Sequence, residues 1–274
     1  MLAVSEAIQG FYGQGREKQR LLEGDGRLEY ARTMELLGRF LPPAPAVILD
    51  VGGGPGIYSC ALARQGYEVH LIDPIPLHLL QAAEESAQQP ESVVRTITQG
   101  DARQLNWPAI SVDSVLMLGP LYHLTERADR LLALSEANRV LKVGGRVFAV
   151  GISRFASALD GLRSHLLDDP AFRAIVARDL QDGQHRNPPN SDRYFTTAFF
   201  HHPEELGQEL KDAGFSMEHM LGVEGPAWLL QDLNEQWDDP DRRGHLLEVV
   251  RSVEAEWTLL GANSHIMGVG RKGT

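Results

Sequence analysis

Short runs of consecutive apolar residues recur along the chain, and most of them are followed by a segment with helical spacing of apolar residues. The first run, 46–51, is broken only by Asp50. Uninterrupted apolar runs that contain β-branched residues are typical of strands buried on both faces of a parallel sheet. The same pattern predicts four further strands, at 68–73, 93–98, 112–118 and 146–151.

Helices are predicted between these strands, at 57–65, 76–89 and 126–141. Strands that alternate with helices at this spacing form a parallel sheet with helices on both faces. The sequence therefore predicts an α/β fold with a doubly wound sheet.

Helical segments also precede this core. Ile8, Phe11 and Tyr12 have the spacing of one helix face, and a second helix is predicted at 28–41. Prolines between 42 and 45 end it, because proline cannot continue a helix.

The alternation stops after the fifth strand. Between 153 and 190, Asp169-Pro170, Gly183 and Pro188-Pro189 delimit two predicted helices. The remaining predictions are a short strand or extended arm at 193–202, a helix at 203–213, a strand at 215–223, helices at 228–237 and 242–260, and a last strand at 264–271.

Composition and charge restrict the partners. The chain has 274 residues, 43% of them hydrophobic and 23% charged, which suits one large domain or a core with an insertion. The net charge of −11 and the lack of any long basic run argue against DNA and anionic membranes. A basic groove buried within the fold, as for a tRNA, is the alternative that net charge leaves open.

The cysteine and histidine residues indicate neither a disulfide nor a metal site. Cys60 is the only cysteine, so neither an intrachain disulfide nor a cysteine-based zinc site can form. Four histidines (His165, His185, His201 and His202) match no common metal-ligand spacing, and no metal is predicted. Segment 1–15 lacks the pattern of a signal peptide, and no apolar run is long enough for a membrane helix. A soluble, cytoplasmic protein is therefore expected.

The strongest chemical motif is the glycine loop after the first strand. Asp50-Val51-Gly52-Gly53-Gly54-Pro55-Gly56 ends a buried strand and opens a helix. Glycines permit close approach of a ligand, and the helix N-terminus favours negative groups. A nicotinamide site would prefer Gly-x-Gly-x-x-Gly, but here the third glycine position is Ser59.

The spacing Asp-x-Gly-x-Gly-x-Gly resembles that of class I S-adenosylmethionine (SAM) methyltransferases of the small-molecule type (methyltransferase type 11/25-like), such as quinone-biosynthesis C-methyltransferases. The resemblance covers roughly 47–151, including the helix–turn–strand segment 139–147, where Val143 replaces a frequent proline. It implies a Rossmann-like sheet of seven strands whose last strand, 264–271, is antiparallel.

The resemblance also implies how SAM is held. Asp73, which ends the second strand, can accept hydrogen bonds from both ribose hydroxyls. Asp101 can accept a hydrogen bond from the adenine amino group. Either acid could instead belong to an ordinary cap or turn. The implied cofactor-binding residues are Asp50, Gly52, Gly53, Gly54, Gly56, Asp73, Pro74, Asp101, Ala102, Leu118 and Gly119, with Tyr12, Tyr30 and Arg32 from the N-terminal helices.

Arg32 is a candidate for the SAM carboxylate, although it and the two tyrosines could equally be surface residues of amphipathic helices. The loop after the fourth strand offers Tyr122 and His123 as catalytic candidates, with His123 as a general base. The alternative is that both pack against, or cap, a helix near Thr125.

Four segments follow from these arguments: N-terminal helices covering the cofactor (1–45), a SAM-binding core (46–152), a helical lid (153–202) and the end of the core with a helical insertion (203–274). The predicted function is methyl transfer from SAM to a small molecule, leaving S-adenosylhomocysteine. The alternatives are a non-catalytic SAM-binding protein and an NAD-dependent oxidoreductase. The motifs do not separate C, N, O and S acceptors, and acidic stretch 224–256 is either a solvated face or a homodimer contact.

Overall fold

A computed structural model describes residues 5–187, 191 and 193–274. Within these residues the chain forms nine strands and twelve α-helices. The strands are β1 (Val47–Val51), β2 (Glu68–Asp73), β3 (Thr96–Gln99), β4 (Val112–Met117), β5 (Leu141–Ser153), β6 (Gln184–His185), β7 (Ala198–His201), β8 (Phe215–Gly222) and β9 (His265–Lys272). The helices are α1 (Glu6–Tyr12), α2 (Glu17–Arg20), α3 (Gly26–Phe40), α4 (Ile57–Arg64), α5 (Pro76–Ala87), α6 (Pro120–His123), α7 (Arg127–Val140), α8 (Ala156–Arg163), α9 (Pro170–Asp182), α10 (Pro203–Asp212), α11 (Leu233–Asp238) and α12 (Pro240–Val253).

The core of the sheet has the order β3-β2-β1-β4-β5-β9-β8. Its first five strands are parallel, and β9 runs antiparallel to both β5 and β8. This confirms the predicted doubly wound, Rossmann-like sheet of seven strands. Two short strands extend it: β7 pairs with the end of β5, and β6 pairs with β7.

The sheet is buried on both faces. Neighbouring residues of β1 belong to opposite halves of the core: Leu49 packs with Leu134 of α7, and Ile48 packs with Leu62 of α4. All four are fully buried. Side chains alternate between the faces of a strand, so both faces need apolar residues, as the run at 46–51, apolar except for Asp50, predicted.

Several element boundaries differ from prediction. Strand β5 begins directly after α7 and passes through the predicted Gly144-Gly145 turn, where a bulge shifts its register with β4. Strand β3 starts at Thr96, three residues later than predicted, and a 3₁₀ turn at Pro90–Ser92 precedes it. The helices predicted at 228–237 and 242–260 each split into an α-helix and a 3₁₀ turn.

Helices α8 and α9 occupy the stretch in which two helices were predicted after the fifth strand. Helix α9 ends at Asp182, before Gly183. Pro188 and Pro189, which were predicted to punctuate this stretch, lie outside the described residues. Among the described helices, none combines the length and apolar character needed to cross a membrane.

Candidate functional site

Two cavities lie beside the glycine loop, at the edge of the sheet where the parallel strands end. The larger, here called the glycine-loop cavity, has a volume of about 310 Å³. The second, called the small cavity, holds about 60 Å³ and shares part of the loop. Predicted residues lining the first are Tyr12, Gly52, Gly54, Asp73, Pro74, Asp101, Ala102, Gly119, Tyr122 and His123, and those lining the second are Asp50, Gly52, Gly53, Gly54, Leu118, Gly119 and Tyr122.

The glycines differ in what they do. Gly54 has φ +56, and a Cβ built there would meet only Nδ1 of His78, at 4.0 Å. A side chain at Gly54 would therefore project into the cavity from a strained backbone. Gly56 lines neither cavity; a Cβ there would come 3.0 Å from Cβ of Ala82 in α5. The structure thus assigns Gly56 to helix packing, whereas the sequence predicted a ligand contact.

Asp50 is buried at the end of β1 and lines the small cavity. Its Oδ2 accepts a hydrogen bond of 2.7 Å from the Ser59 hydroxyl. Burial raises the pKa of Asp50 to about 6, so the carboxylate is ionised at neutral pH at an energetic cost. Ser59, which breaks the nicotinamide pattern, therefore has a structural partner.

Asp73 connects the end of β2 to the glycine loop. Its Oδ2 accepts from the Gly54 amide at 2.9 Å, and its Oδ1 accepts from the Ile75 amide at 2.8 Å. Nδ1 of His78 lies 3.1 Å from the same Oδ1. Nε2 of His78 is buried and, among the described residues, has no hydrogen-bond partner. His78 also lines the glycine-loop cavity.

Sequence reasoning missed His78, although its place in the first turn of the helix after Asp73 was a local signal.

Asp101 follows β3 and is held by a neighbouring cation. Nε and Nη2 of Arg103 donate to its two oxygens at 2.9 and 2.7 Å, and Nη1 of Arg103 reaches Asp129 at 2.9 Å. Burial opposes ionisation, but hydrogen bonds from Arg103 lower the pKa of Asp101 below its usual value. The carboxylate is therefore charged and fixed in orientation at the cavity wall.

Tyr12 and His123 meet over the glycine-loop cavity. The phenol oxygen of Tyr12, at the end of α1, lies 2.6 Å from Nε2 of His123, at the end of α6. Burial lowers the pKa of His123 to about 4, so its ring is neutral at physiological pH. Tyr122, next to it, is also buried, which raises the pKa of its phenol.

Arg32 does not face either cavity. Its side chain is fully buried, and its guanidinium donates to Glu35 at 2.5 Å, Glu254 at 2.5 Å and the Val223 carbonyl at 3.2 Å. Because Arg32 is fully buried and lines neither cavity, the prediction that it binds the SAM carboxylate is wrong. Helical spacing alone could not show which side of α3 faces the ligand.

Tyr30 also lies outside both cavity walls: it stacks on Tyr58, with ring centroids 5.6 Å apart, and Tyr58 lines the small cavity. The arginine that does line the small cavity is Arg20. Its guanidinium pairs with both oxygens of Glu29, at 2.5 and 3.0 Å, and with Glu17 at 2.7 Å. No local pattern marks Arg20, because α2 is only four residues long.

A third cavity, here called the aromatic cavity, adjoins the other two and has a volume of about 640 Å³. It shares Tyr12 and Tyr122 with the glycine-loop cavity. Its other aromatic and histidine lining residues are Phe11, Phe172, His185, Tyr194, Phe195, Phe200, Trp228 and His265. The walls also include charged residues, namely Arg16, Glu17, Arg20, Glu23, Asp160 and Arg193, so the aromatic cavity suits an aromatic molecule that carries polar groups.

The comparisons with known proteins agree with this geometry. A family model described as "Methyltransferase domain" matches residues 49–149. The Ubiquinone biosynthesis O-methyltransferase of Xanthomonas axonopodis pv. citri (strain 306) is 30% identical over 210 residues, which are 74% of this chain and 73% of that protein.

Solved structures share the fold at lower identity. A SAM-dependent methyltransferase from Methanosarcina mazei is 20% identical with a TM-score of 0.57, over 87% of this chain and 97% of that one. An S-adenosylmethionine dependent methyltransferase from Mesorhizobium loti is 16% identical with a TM-score of 0.59, over 89% of this chain and 100% of that one.

These matches favour a methyltransferase over the nicotinamide alternative and agree with the Asp-x-Gly-x-Gly-x-Gly loop beside the cavities. Asp73 at the end of β2 and Asp101 after β3 line the same cavity. The chain belongs to the SAM-dependent methyltransferase family, with SAM as its cofactor and a small molecule as its methyl acceptor.

Proposed function

We propose that the protein methylates a hydroxyl group of an aromatic small molecule, which binds in the aromatic cavity. The observation that carries this proposal is the junction between cavities: Tyr12, Glu17 and Tyr122 line both the glycine-loop cavity and the aromatic cavity. The two cavities therefore adjoin, and the proposal places the donor in the first and the acceptor in the second. The choice of oxygen rests on relatives named as O-methyltransferases of ubiquinone biosynthesis.

SAM suits the residues around the glycine loop. We propose that Asp73 and the unpartnered Nε2 of His78 hold the ribose, and that Asp101 accepts from the adenine amino group. Asp50 and Arg20, at the small cavity, would hold the charged methionine end, with Arg20 in the role predicted for Arg32. The proposed contacts with SAM also include Gly52, Gly53, Gly54, Pro74, Ala102, Leu118 and Gly119.

SAM supplies a methyl group that is electrophilic because its sulfur carries a positive charge. The protein therefore has to bind the acceptor in line, exclude water and provide for the acceptor's proton. We propose that Tyr12, Tyr122 and His123 close the junction and orient the acceptor hydroxyl. His123 is a weak base in this role, because burial lowers its pKa to about 4.

The remaining proposals concern the surroundings of the reaction. We propose that segments 1–45 and 153–202 cover the core formed by 46–152 and 203–274. We also propose that the enzyme belongs to class EC 2.1.1 and works in the cytoplasm. The net charge of −11 supports a small acceptor rather than DNA.

Calorimetric titration with SAM, S-adenosylhomocysteine and NADH, followed by an acceptor screen, tests the proposal. We expect micromolar binding of the first two ligands, no binding of NADH, and transfer of a labelled methyl group from SAM to catechol. SAM binding without turnover of catechol or any other phenol would overturn O-methylation of an aromatic acceptor. Absence of turnover with every class of metabolite would favour the non-catalytic alternative.

A further inference from the structure

We propose that His265, positioned by Glu224, is the base that removes the proton of the acceptor hydroxyl. The inference rests on the proposed O-methylation, since only an acceptor with a proton to lose needs such a base. It assigns catalysis to a histidine that no sequence motif marks.

The position of His265 suits this role. It begins β9 and pairs with Ile152 near the end of β5, at the edge of the sheet where the cavities lie. Its side chain lines both the aromatic cavity and the small cavity, as do those of Arg20 and Tyr122. His265 therefore lies where the proposed acceptor site meets the proposed methionine end of SAM.

Glu224 fixes the imidazole ring and its tautomer. Nδ1 of His265 lies 2.6 Å from Oε1 of Glu224, and the backbone N–H of His265 donates to Oε2 at 3.0 Å. Glu224 is only 2% exposed, so the carboxylate is held in place. A carboxylate at Nδ1 keeps a proton there, which leaves the lone pair on Nε2 of the neutral ring.

The charges that face His265 make it a better base than His123. Burial and the nearby Arg20 lower the pKa of His265, whereas the carboxylates of Glu29 and Glu224 raise it. The carboxylates have the larger effect, so the pKa of His265 lies above the usual value for histidine. Oε2 of Glu29 lies 3.9 Å from Nδ1 of His265, and the Tyr122 ring centroid lies 6.4 Å from that of the imidazole.

The proton and the electrons balance in one step. The acceptor O–H bond breaks and an N–H bond forms at Nε2 of His265, while the oxygen's electron pair forms the bond to the methyl carbon. The electron pair of the broken carbon–sulfur bond stays on sulfur. The resulting imidazolium is neutralised by Glu224 and later loses its proton to water.

Kinetics with catechol as the acceptor probe test the assignment. We expect His265→Gln to lower the single-turnover rate of methyl transfer by at least about 100-fold, the usual contribution of a general base, while S-adenosylhomocysteine binding changes less than about threefold. The matched control, His245→Gln, removes an exposed histidine of α12 and should leave both unchanged. A single-turnover rate within about threefold of wild type in His265→Gln would overturn the proposal.

The pH profile separates a base from a merely structural residue. Wild-type kcat/KM should fall as the pH drops and His265 gains a proton. In Glu224→Gln this fall in kcat/KM should occur at lower pH, because a carboxylate that raises the pKa of His265 is gone. In His265→Gln the fall should be absent. A fall at the wild-type pH in both variants would contradict the assignment.

A readout without turnover distinguishes failure of this proposal from failure of the proposed function. Nitrogen-15 NMR of the S-adenosylhomocysteine complex reports which ring nitrogen of His265 carries the proton and the pH at which the ring titrates. We expect the proton on Nδ1, and a lower pKa in Glu224→Gln. A proton on Nε2 would overturn the role of His265 even if catechol is not a substrate.

Discussion

The phenol oxygen of Tyr12 lies 2.6 Å from Nε2 of His123, although the two residues are 111 positions apart in the chain. Since the ring of His123 is neutral, Nε2 can accept the proton of the phenol. The bond fastens α1 to the loop after β4 and closes the glycine-loop cavity on one side. We therefore expect the affinity for SAM to depend on the N-terminal helix.

Tyr12→Phe should weaken the binding of SAM and S-adenosylhomocysteine by about five- to tenfold, since a net hydrogen bond contributes about 1 kcal/mol. Calorimetry measures this change. Tyr67→Phe is the matched control: its hydroxyl donates to the Pro42 carbonyl at 3.0 Å, away from the cavities, so it should change Tm but not affinity. Equal affinities in wild type and Tyr12→Phe would contradict closure by this bond.

Asp73→Asn should weaken SAM binding by at least about tenfold, because hydrogen bonds to a charged group contribute about 1.5–3 kcal/mol. The same titration applied to Asp113→Asn provides the control. Asp113 accepts from the Val47 amide at 2.8 Å near the start of β4, at the opposite edge of the sheet. If both variants lost affinity equally, the effect of Asp73 would be structural.

Arg20→Met and Arg32→Met should have opposite consequences. Arg20→Met should reduce SAM affinity, because Arg20 lines the small cavity. Arg32→Met should reduce stability by about 1.5–3 kcal/mol, since it leaves the half-buried Glu35 and Glu254 without hydrogen bonds from a buried cation, and should leave affinity unchanged. Urea unfolding and calorimetry on both variants distinguish these outcomes; a loss of affinity in Arg32→Met alone would reverse the assignment.

Asp50→Asn should stabilise the fold at neutral pH while weakening SAM binding. The pKa of Asp50 is raised from 3.8 to about 6, so the folded protein prefers its protonated form. The stability that this form contributes is present below about pH 4 and lost as the pH rises to about 6. The Tm advantage of Asp50→Asn should therefore grow across that interval and then level off. A lower Tm than wild type at pH 8 would contradict this.

The parts of the fold that the sequence predicted are those set by local patterns. The apolar run of β1 predicted a strand buried on both faces, and parallel strands bring their carboxyl ends to one edge. Asp73, the last residue of β2, and Asp101, two residues after β3, could therefore be placed beside the glycine loop without knowledge of any distant contact.

The parts that the sequence did not predict depend on contacts between distant segments. Arg32 faces away from the cavities because α3 packs where Glu254, 222 positions later, can pair with it. His265 and Glu224 are 41 positions apart, and their contact exists only because β9 returns beside the end of β8. No spacing rule connects residues whose proximity is created by strand order.

Helix α1 has seven residues, of which only Ile8 is buried, yet its Tyr12 stands between two cavities. A helix this short is unstable by itself and persists through its contacts. We therefore expect α1 to unfold locally for each exchange of SAM for S-adenosylhomocysteine, so that product release governs turnover. A pre-steady-state burst of methylated product, together with fast amide hydrogen exchange in α1, would show that local unfolding of this helix sets the rate of turnover.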